Sequence, residues 1–444
     1  MNKTKLEQYH ARKSLEDIVH GLIYVYILTI SFQSLGFRFM ELTIGLPEIV
    51  FIVFVPLAII HIIRSGQKCW IDRLDLFVFG WLIANILAGL HTGFDSVVVT
   101  EIIRTAYLVV LYVVLKWTIT LEMITRIVKV IILLSFLATL TGIIGFGLEF
   151  IGIETFLAIK RPHPYLIHVM QAKGFTPSPN MLASIIMIGI FFQTHEIFNN
   201  KRFNTSNILV LIILLIGFLL TFSKTIASLV IGIILIWYFH NKSKLPYTWR
   251  LIVKIVVMAI FTFYIFGTHF IVIKKDHDTE LLKGNYIAGP PFIETANSSI
   301  YPSQYWSLKK ISFEAISQSF PWGIGPGKFN YYAHELKKND VYLTHVPYPD
   351  PHSTYLGTLV ESGLLGLIAY LGIIYFTIKY SCKILNDQSA NRYIFACLPS
   401  IFIVIGIEAV STDVMNFRHY WILFILLVFA FQNLKSTSSK SLNL

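Results

Sequence analysis

Apolar stretches about 20 residues long recur along almost the whole chain, separated by short polar segments, and this repetition limits the fold more than any other feature. A helix of that length crosses the roughly 30 Å hydrocarbon core of a bilayer. Such runs lie near 18–36, 43–63, 75–91, 97–117, 124–146, 178–195, 206–222, 225–240, 250–273, 353–379, 392–412 and 417–433. With 55% hydrophobic and 14% charged residues and a mean hydropathy of +0.66, a water-soluble globule of ordinary composition is excluded. Backbone polar groups in lipid must be paired within their own segment, so the expected fold is an all-α polytopic membrane protein of about 12 transmembrane helices. The third run is short, and the tight pair around 222–224 reads also as one broken hairpin. The expected organisation is a bundle over 1–273 (about nine spans), a long outer loop over 274–352, three further spans over 353–433 and a tail over 434–444. The first run follows Lys3, Lys5, Arg12 and Lys13 without a small-residue cleavage pattern, and reads as a retained span.

Lysine and arginine in short connections set the orientation. With a cytoplasmic N-terminus, the inner segments hold Arg64, Lys68 and Arg73, then Lys116, Arg126 and Lys129, then Lys201 and Arg202. Lys242, Lys244 and Arg250, then Lys379, Lys383 and Arg392, then Lys435 and Lys440 continue the series. Both termini are then cytoplasmic. The net charge of +11 follows from this topology and needs no nucleic-acid partner.

Cations on the outer side run against that rule and need another cause. They are Arg38, the group Lys160, Arg161 and Lys173, then Lys224 and Arg418, with Arg104 about two turns inside a span. Each is a candidate for holding an anion; the plainer reading is a long side chain reaching harmlessly to the interface. His163 and His168 lie close to the 160–173 group, which also reads as a basic amphipathic segment lying on anionic lipid.

The loop over 274–352 balances eight lysines against eight acids. A loop of that length without structure would be unusual. Trp306, Ile311, Phe313, Ile316 and Phe320 have helical spacing, so a helix is expected there, followed by a turn at Pro321-Trp322-Gly323-Ile324-Gly325-Pro326-Gly327. His352 ends the loop where the chain re-enters the membrane. An imidazole there suits proton handling on a lipid-borne substrate. The three cysteines (Cys69, Cys382, Cys397) lie on the inner side or within a span, away from an oxidising compartment. Neither zinc spacing, nor a nucleotide-binding glycine loop, nor a serine-nucleophile elbow is present.

The segment 321–329, followed by His352-Ser353-Thr354-Tyr355-Leu356 and Glu361-Ser362-Gly363-Leu364-Leu365-Gly366, resembles the signature of bacterial O-antigen ligases and their polymerase relatives. Gly174-Phe175-Thr176-Pro177-Ser178-Pro179-Asn180 and Thr221-Phe222-Ser223-Lys224-Thr225 are similar to two further motifs of that superfamily, and the order agrees from about 160 to 370. The resemblance implies a GT-C-like glycosyltransferase of the bacterial inner membrane, acting on its periplasmic face. The reaction would be a metal-independent, inverting transfer with no cofactor, from a glycan on undecaprenyl pyrophosphate to a sugar hydroxyl of lipid A core. Pyrophosphate is a good leaving group, so the enzyme has chiefly to hold its charge and deprotonate the acceptor. The alternatives are an O-antigen polymerase or a protein O-oligosaccharyltransferase. A flippase or transporter matches the helix count, but the chain shows no internal repeat.

On this reading His352 is the catalytic base or orients the hydroxyl. Lys224, Lys173, Arg161, Lys160 and Arg104 bind the pyrophosphate, and Glu361, Asn180 and Tyr355 support them. Lys224 stands where the family carries arginine, which keeps the charge but loses the bidentate fork. The family tends to carry an arginine a few residues before the tryptophan of the long loop, but Tyr301, Pro302 and Ser303 stand there before Trp306, and Lys309 or Lys310 is a candidate replacement. Asn180 reads also as a helix cap. Glu361 is half a turn out of phase with His352 on an unbroken helix, so it is expected to pair with Arg104 or Lys224, while Glu101 and Arg104 form an alternative pair. Gly363 and Gly366 allow close helix approach. Asp276-His277-Asp278 mimics a metal motif but reads as a solvated turn.

Overall fold

The computed structural model describes residues 3–39, 42–66, 69–163, 167–199, 204–274, 287, 289–337, 350–386 and 397–441. Asp276-His277-Asp278, Lys201, Arg202 and the side chains of Arg38 and His163 lie outside the described residues. The chain is predominantly helical. In order the helices are α1 (Lys3–Thr29), α2 (Leu46–Ser65), α3 (Arg73–Thr92), α4 (Ser96–Thr118), α5 (Leu121–Phe150), α6 (Pro179–Asn199) and α7 (Thr205–Leu220). Then come α8 (Ile226–Asn241), α9 (Tyr247–His269), α10 (Gln304–Ser319), α11 (Phe329–Lys337), α12 (Thr354–Asn386), α13 (Cys397–Glu408) and α14 (Arg418–Ser441).

Eight of these, α1 to α6, α9 and α12, contain segments long and apolar enough to cross a membrane, and α7, α8, α13 and α14 carry shorter apolar segments. The protein is therefore a multi-pass membrane protein, with eight such spans among the described residues where the sequence suggests about twelve. The 222–224 pair forms two separate helices joined at 221–225. α6 is the central helix, with 83% of its apolar window buried against 17% for α9 at the periphery. Tyr420, Trp421 and the residues up to Phe431 on α14 are buried beside it in one continuous core.

The expectation of a purely helical chain needs correction at the helix mouths, which carry small antiparallel sheets. β1 (Gly36–Phe39) pairs with β2 (Leu42–Gly45), and β3 (Ala158–His163) pairs with β4 (Ile167–Ala172). β5 (Phe270–Lys274), β6 (Ile293–Glu294) and β7 (Ser298–Pro302) form a sheet in the order β5-β7-β6. Outside the lipid a hairpin can leave its edges to water, and short connecting strands satisfy the backbone there. The helix expected near 306–320 is α10.

Alternation of the helices brings these connections to one end of the bundle, where they are tied together. Ser34 N–H donates to Phe175 O at 2.9 Å. Lys328 bridges the carbonyl of Thr92 at 3.0 Å and the carboxylate of Asp95 at 2.9 Å. The glycine-rich segment 321–327 lies across α12 where that helix breaks, at Gly363 (φ 67°). Leu364 N–H donates to Pro321 O and Ile324 N–H to Val360 O, both at 2.8 Å. A Cβ on Gly363 would stand 2.2 Å from Pro321 O, and one on Gly323 2.7 Å from Glu361 O. Glycine is required at both because backbone meets backbone; Gly363 thus serves a loop rather than a neighbouring helix.

Candidate functional site

Asp350 begins the site. Its Oδ1 accepts the backbone N–H of His352 at 2.5 Å, an Asx turn in which a short carboxylate mimics a backbone acceptor. The turn puts His352 at φ 43°, a left-handed conformation that is rare for a residue with a side chain. The neighbours over-determine it. Lys309 Nζ donates to the carbonyls of Pro351 (3.1 Å), His352 (2.6 Å) and Val410 (3.1 Å). Thr354 N–H donates to Ala409 O at 2.9 Å, and Val414 N–H to Thr354 Oγ1 at 2.9 Å. The connection between α13 and α14 is therefore the floor under His352.

Asp350 Oδ1 also stands 3.2 Å from His352 Nδ1. A carboxylate at that nitrogen favours Nδ1–H and leaves Nε2 to accept a proton. Burial lowers the imidazole pKa, Asp350 opposes the shift, and Lys309, Lys224 and Arg161 reinforce it. The imidazole is therefore neutral near pH 7, with Asp350 at its Nδ1.

Lys224 lies in the tight connection 221–225, which is organised by the Ser223 hydroxyl. That hydroxyl donates to Asn180 Oδ1 at 2.9 Å and accepts from Thr225 Oγ1 at 3.0 Å. Phe222, just before it, has φ 46°; among the described residues the two non-glycine positions with positive φ are Phe222 and His352. Lys224 Nζ sits 4.1 Å from the centre of the Tyr305 ring, and the same ring meets His352 edge-on at 4.8 Å. Tyr305 thus joins the two motifs. Crowding by neighbouring atoms pushes the Lys224 pKa down to about 8, although the side chain keeps exposed surface, as a group recessed in an open mouth would.

The hairpin β3–β4 divides the 160–173 group, because consecutive residues on a strand point to opposite faces. Lys160 pairs with Glu149 at 2.9 Å, whereas Arg161 acts on both His352 and Lys173. Desolvation, then Arg161, holds the Lys173 pKa below its ordinary value. Among the described residues no carboxylate forms an ion pair with Arg161, Lys173 or Lys224. Three cations without an ion-paired acid among the described residues, two of them acting on His352 and Arg161 also on Lys173, give this mouth a positive potential suited to an anion.

Other candidates are placed elsewhere. Arg104 is ion-paired with Glu101 one turn away and is not among the charges acting on His352. Arg418 pairs with Glu48 and bonds Gln33, so it braces α14 against α2. Lys309 does not replace the missing arginine, since three backbone carbonyls take its three protons. Glu361 forms an ion pair with neither Arg104 nor Lys224; the backbone amides of Gly327 and Phe329 act on its carboxyl instead. Asn180 does not cap α6, because Ser178 Oγ accepts Met181 N–H at 3.2 Å and Asn180 serves Ser223 instead. Tyr355 donates to Gly406 O at 3.2 Å, packing α12 on α13. Among the described residues no group of three His, Cys, Asp or Glu side chains is arranged to hold a metal ion.

Sequence reasoning did not single out Asp350 or Tyr305. The Asp-Pro-His spacing, with an Asx acceptor two residues before the histidine, was the available signal for Asp350. Nothing local marks Tyr305, whose role arises from tertiary packing alone.

The family model described as O-antigen ligase matches residues 209–371. No curated protein matches the chain. The matched segment contains Lys224, Tyr305, Lys309, Asp350 and His352, so over this part, which holds most of the site, the chain is similar to the O-antigen ligase family.

Proposed function

We propose that the protein is an O-antigen ligase that transfers a glycan from undecaprenyl pyrophosphate to a sugar hydroxyl of lipid A core. The observation that carries this reading is the contact of both Lys224 and His352 with Tyr305, which sets a proton acceptor beside an unpaired cation. The acceptor hydroxyl attacks the anomeric carbon as its proton passes to His352 Nε2. The bond from that carbon to phosphate oxygen breaks, and undecaprenyl pyrophosphate leaves with the electron pair. Lys224, Arg161 and the N-terminus of α8 stabilise its charge, with Lys173 beyond them. A single displacement inverts the anomeric centre and requires neither metal nor cofactor.

The reading carries a membrane arrangement with it. The four shorter apolar helices complete about twelve spans in a GT-C-like bundle of the inner membrane, with both termini cytoplasmic. Residues 274–352 form the periplasmic loop between the ninth and tenth spans, and the site faces the periplasm.

The test is transfer by purified protein given lipid-linked donor and either core acceptor or a second donor. Glycan should appear on the core acceptor, and His352→Ala should lower the rate by roughly 10²–10⁴, the usual range for general base catalysis. Extension of one donor by another would assign the protein as a polymerase instead. Undiminished transfer by His352→Ala would remove the base.

A further inference from the structure

We propose that the turn over 150–157 is an interfacial anchor, which inserts into the outer leaflet of the bilayer and holds the cationic mouth level with the lipid headgroups. The anchor rests on the geometry of the turn; its purpose rests on the function proposed above.

α5 ends in an ordered turn, in which Gly152 N–H donates to Glu149 O at 3.1 Å and Ile153 N–H to Leu148 O at 2.9 Å. The turn displays large apolar side chains. Phe150 and Ile151 are 78% and 68% exposed, and Ile153 and Phe156 are exposed as well. Its two acids share one hairpin cation: Glu149 pairs with Lys160 at 2.9 Å, and Glu154 also acts on that lysine. An exposed apolar cluster of this kind marks a partner surface, and two observations make that partner lipid. Arg126 and Lys129 are exposed on α5 towards its inner end, and the rise from Lys129 to Phe150 is about 31 Å, close to the thickness of the hydrocarbon core. The turn therefore stands at the outer boundary of the bilayer. Leu133, Ile144 and Ile151 also fall on one exposed line of α5, so the lipid-facing side of the helix continues into the turn.

Backbone ties this turn to the mouth. Leu157 O accepts the N–H groups of both Lys173 and Gly174, each at 2.9 Å. Leu157 is itself seated on α5, since a Cβ on Gly145 would stand 2.3 Å from its Cβ. The Phe156 ring lies 5.6 Å from that of Phe175, which lies 5.3 Å from Phe32. β3, which carries Arg161, begins at Ala158, immediately after the turn. Apolar side chains sunk about 5–10 Å below the headgroups thus fix the height of Lys173 and Arg161, at the level where the pyrophosphate of a membrane-borne donor lies.

The test places a fluorophore on the turn. Full-length protein with Cys69, Cys382 and Cys397 replaced by alanine would be labelled at Ile153→Cys, or at His334→Cys on α11 as an aqueous reference, and reconstituted in vesicles of phosphatidylethanolamine and phosphatidylglycerol. Spin-labelled lipid should quench the label at 153 from a depth of about 5–10 Å below the headgroups and spare the label at 334, which aqueous iodide reaches. Iodide quenching of equal strength at both positions would overturn the anchor, as would cross-linking of two copies through the Ile153→Cys site. Neither readout needs turnover, so failure of the anchor and failure of the proposed reaction are told apart. The purpose has its own check in Ile151→Asp combined with Ile153→Asp, both at exposed positions. With donor in the bilayer, KM should rise about tenfold at unchanged kcat, equivalent to roughly one apolar side chain leaving lipid. An unchanged KM would overturn the link between the turn and the mouth.

Discussion

Lys116 and Lys224 are both lysines resting on aromatic faces, yet their surroundings differ completely. Lys116, in the last turn of α4, has its ammonium 3.6 Å from the Trp70 ring and is ion-paired with Asp75, with Asp72 at 3.5 Å. Tyr112 adds a hydrogen bond to Asp75 at 2.8 Å. Lys224, at the other end of the bundle, has Tyr305 but no carboxylate within ion-pair distance among the described residues. A buried cation with matched carboxylates is structural, because its charge is already neutralised. A recessed cation that lacks them retains charge for something that arrives later. Residue type alone does not separate the two; burial and pairing do.

Exchange of the two lysines for methionine tests this comparison most severely. Lys224→Met should lower kcat/KM by about 10²–10³, the scale for losing one preorganised charge-stabilising group, while the unfolding midpoint is unchanged. Lys116→Met should do the reverse, costing about 3–5 kcal/mol of stability by stranding Asp75, with turnover per folded molecule preserved. If Lys116→Met lost turnover in the folded protein, the distinction would collapse. Asp350→Asn comes next. It keeps the acceptor for the His352 N–H but removes the charge at Nδ1, so a loss of about tenfold is expected. Asp350 raises the imidazole pKa, so its removal should also move the acid limb of the pH profile to lower pH.

The smallest effect sharpens the view of Lys224. On the proposed mechanism neutral His352 is the active form, so activity should rise with pH through a value below the ordinary imidazole range. Protonated Lys224 is the binding form, so kcat/KM should fall above about pH 8. Lys224→Arg should leave the acid limb in place and abolish the alkaline one, since guanidinium does not titrate there. An unmoved alkaline limb would assign that ionisation to another group.

The helices were legible because each long apolar run leaves its backbone one way to be satisfied in lipid. The hairpins were not, since strands of four to six residues such as β1 and β3 carry too little periodic signal beside such runs. In the mouth of the bundle, single residues were readable and their partners were not. Lys224 and His352 stood out by position and motif, whereas the ring that connects them and the occupation of Lys309 by three carbonyls depend on folded packing. Glu361 shows the same limit from the other side. A carboxylate near cations suggests an ion pair, and only the positions of the Gly327 and Phe329 amides reveal a different partner.

The bridges made by Lys328 and Lys309 have a mechanical consequence. One fastens the start of α11 to the α3–α4 corner, and the other fastens α10 to the segments on either side of the imidazole. A lever fixed at two points does not swing, so these two contacts make α10 and α11 a bracket over the bundle mouth rather than a hinged roof.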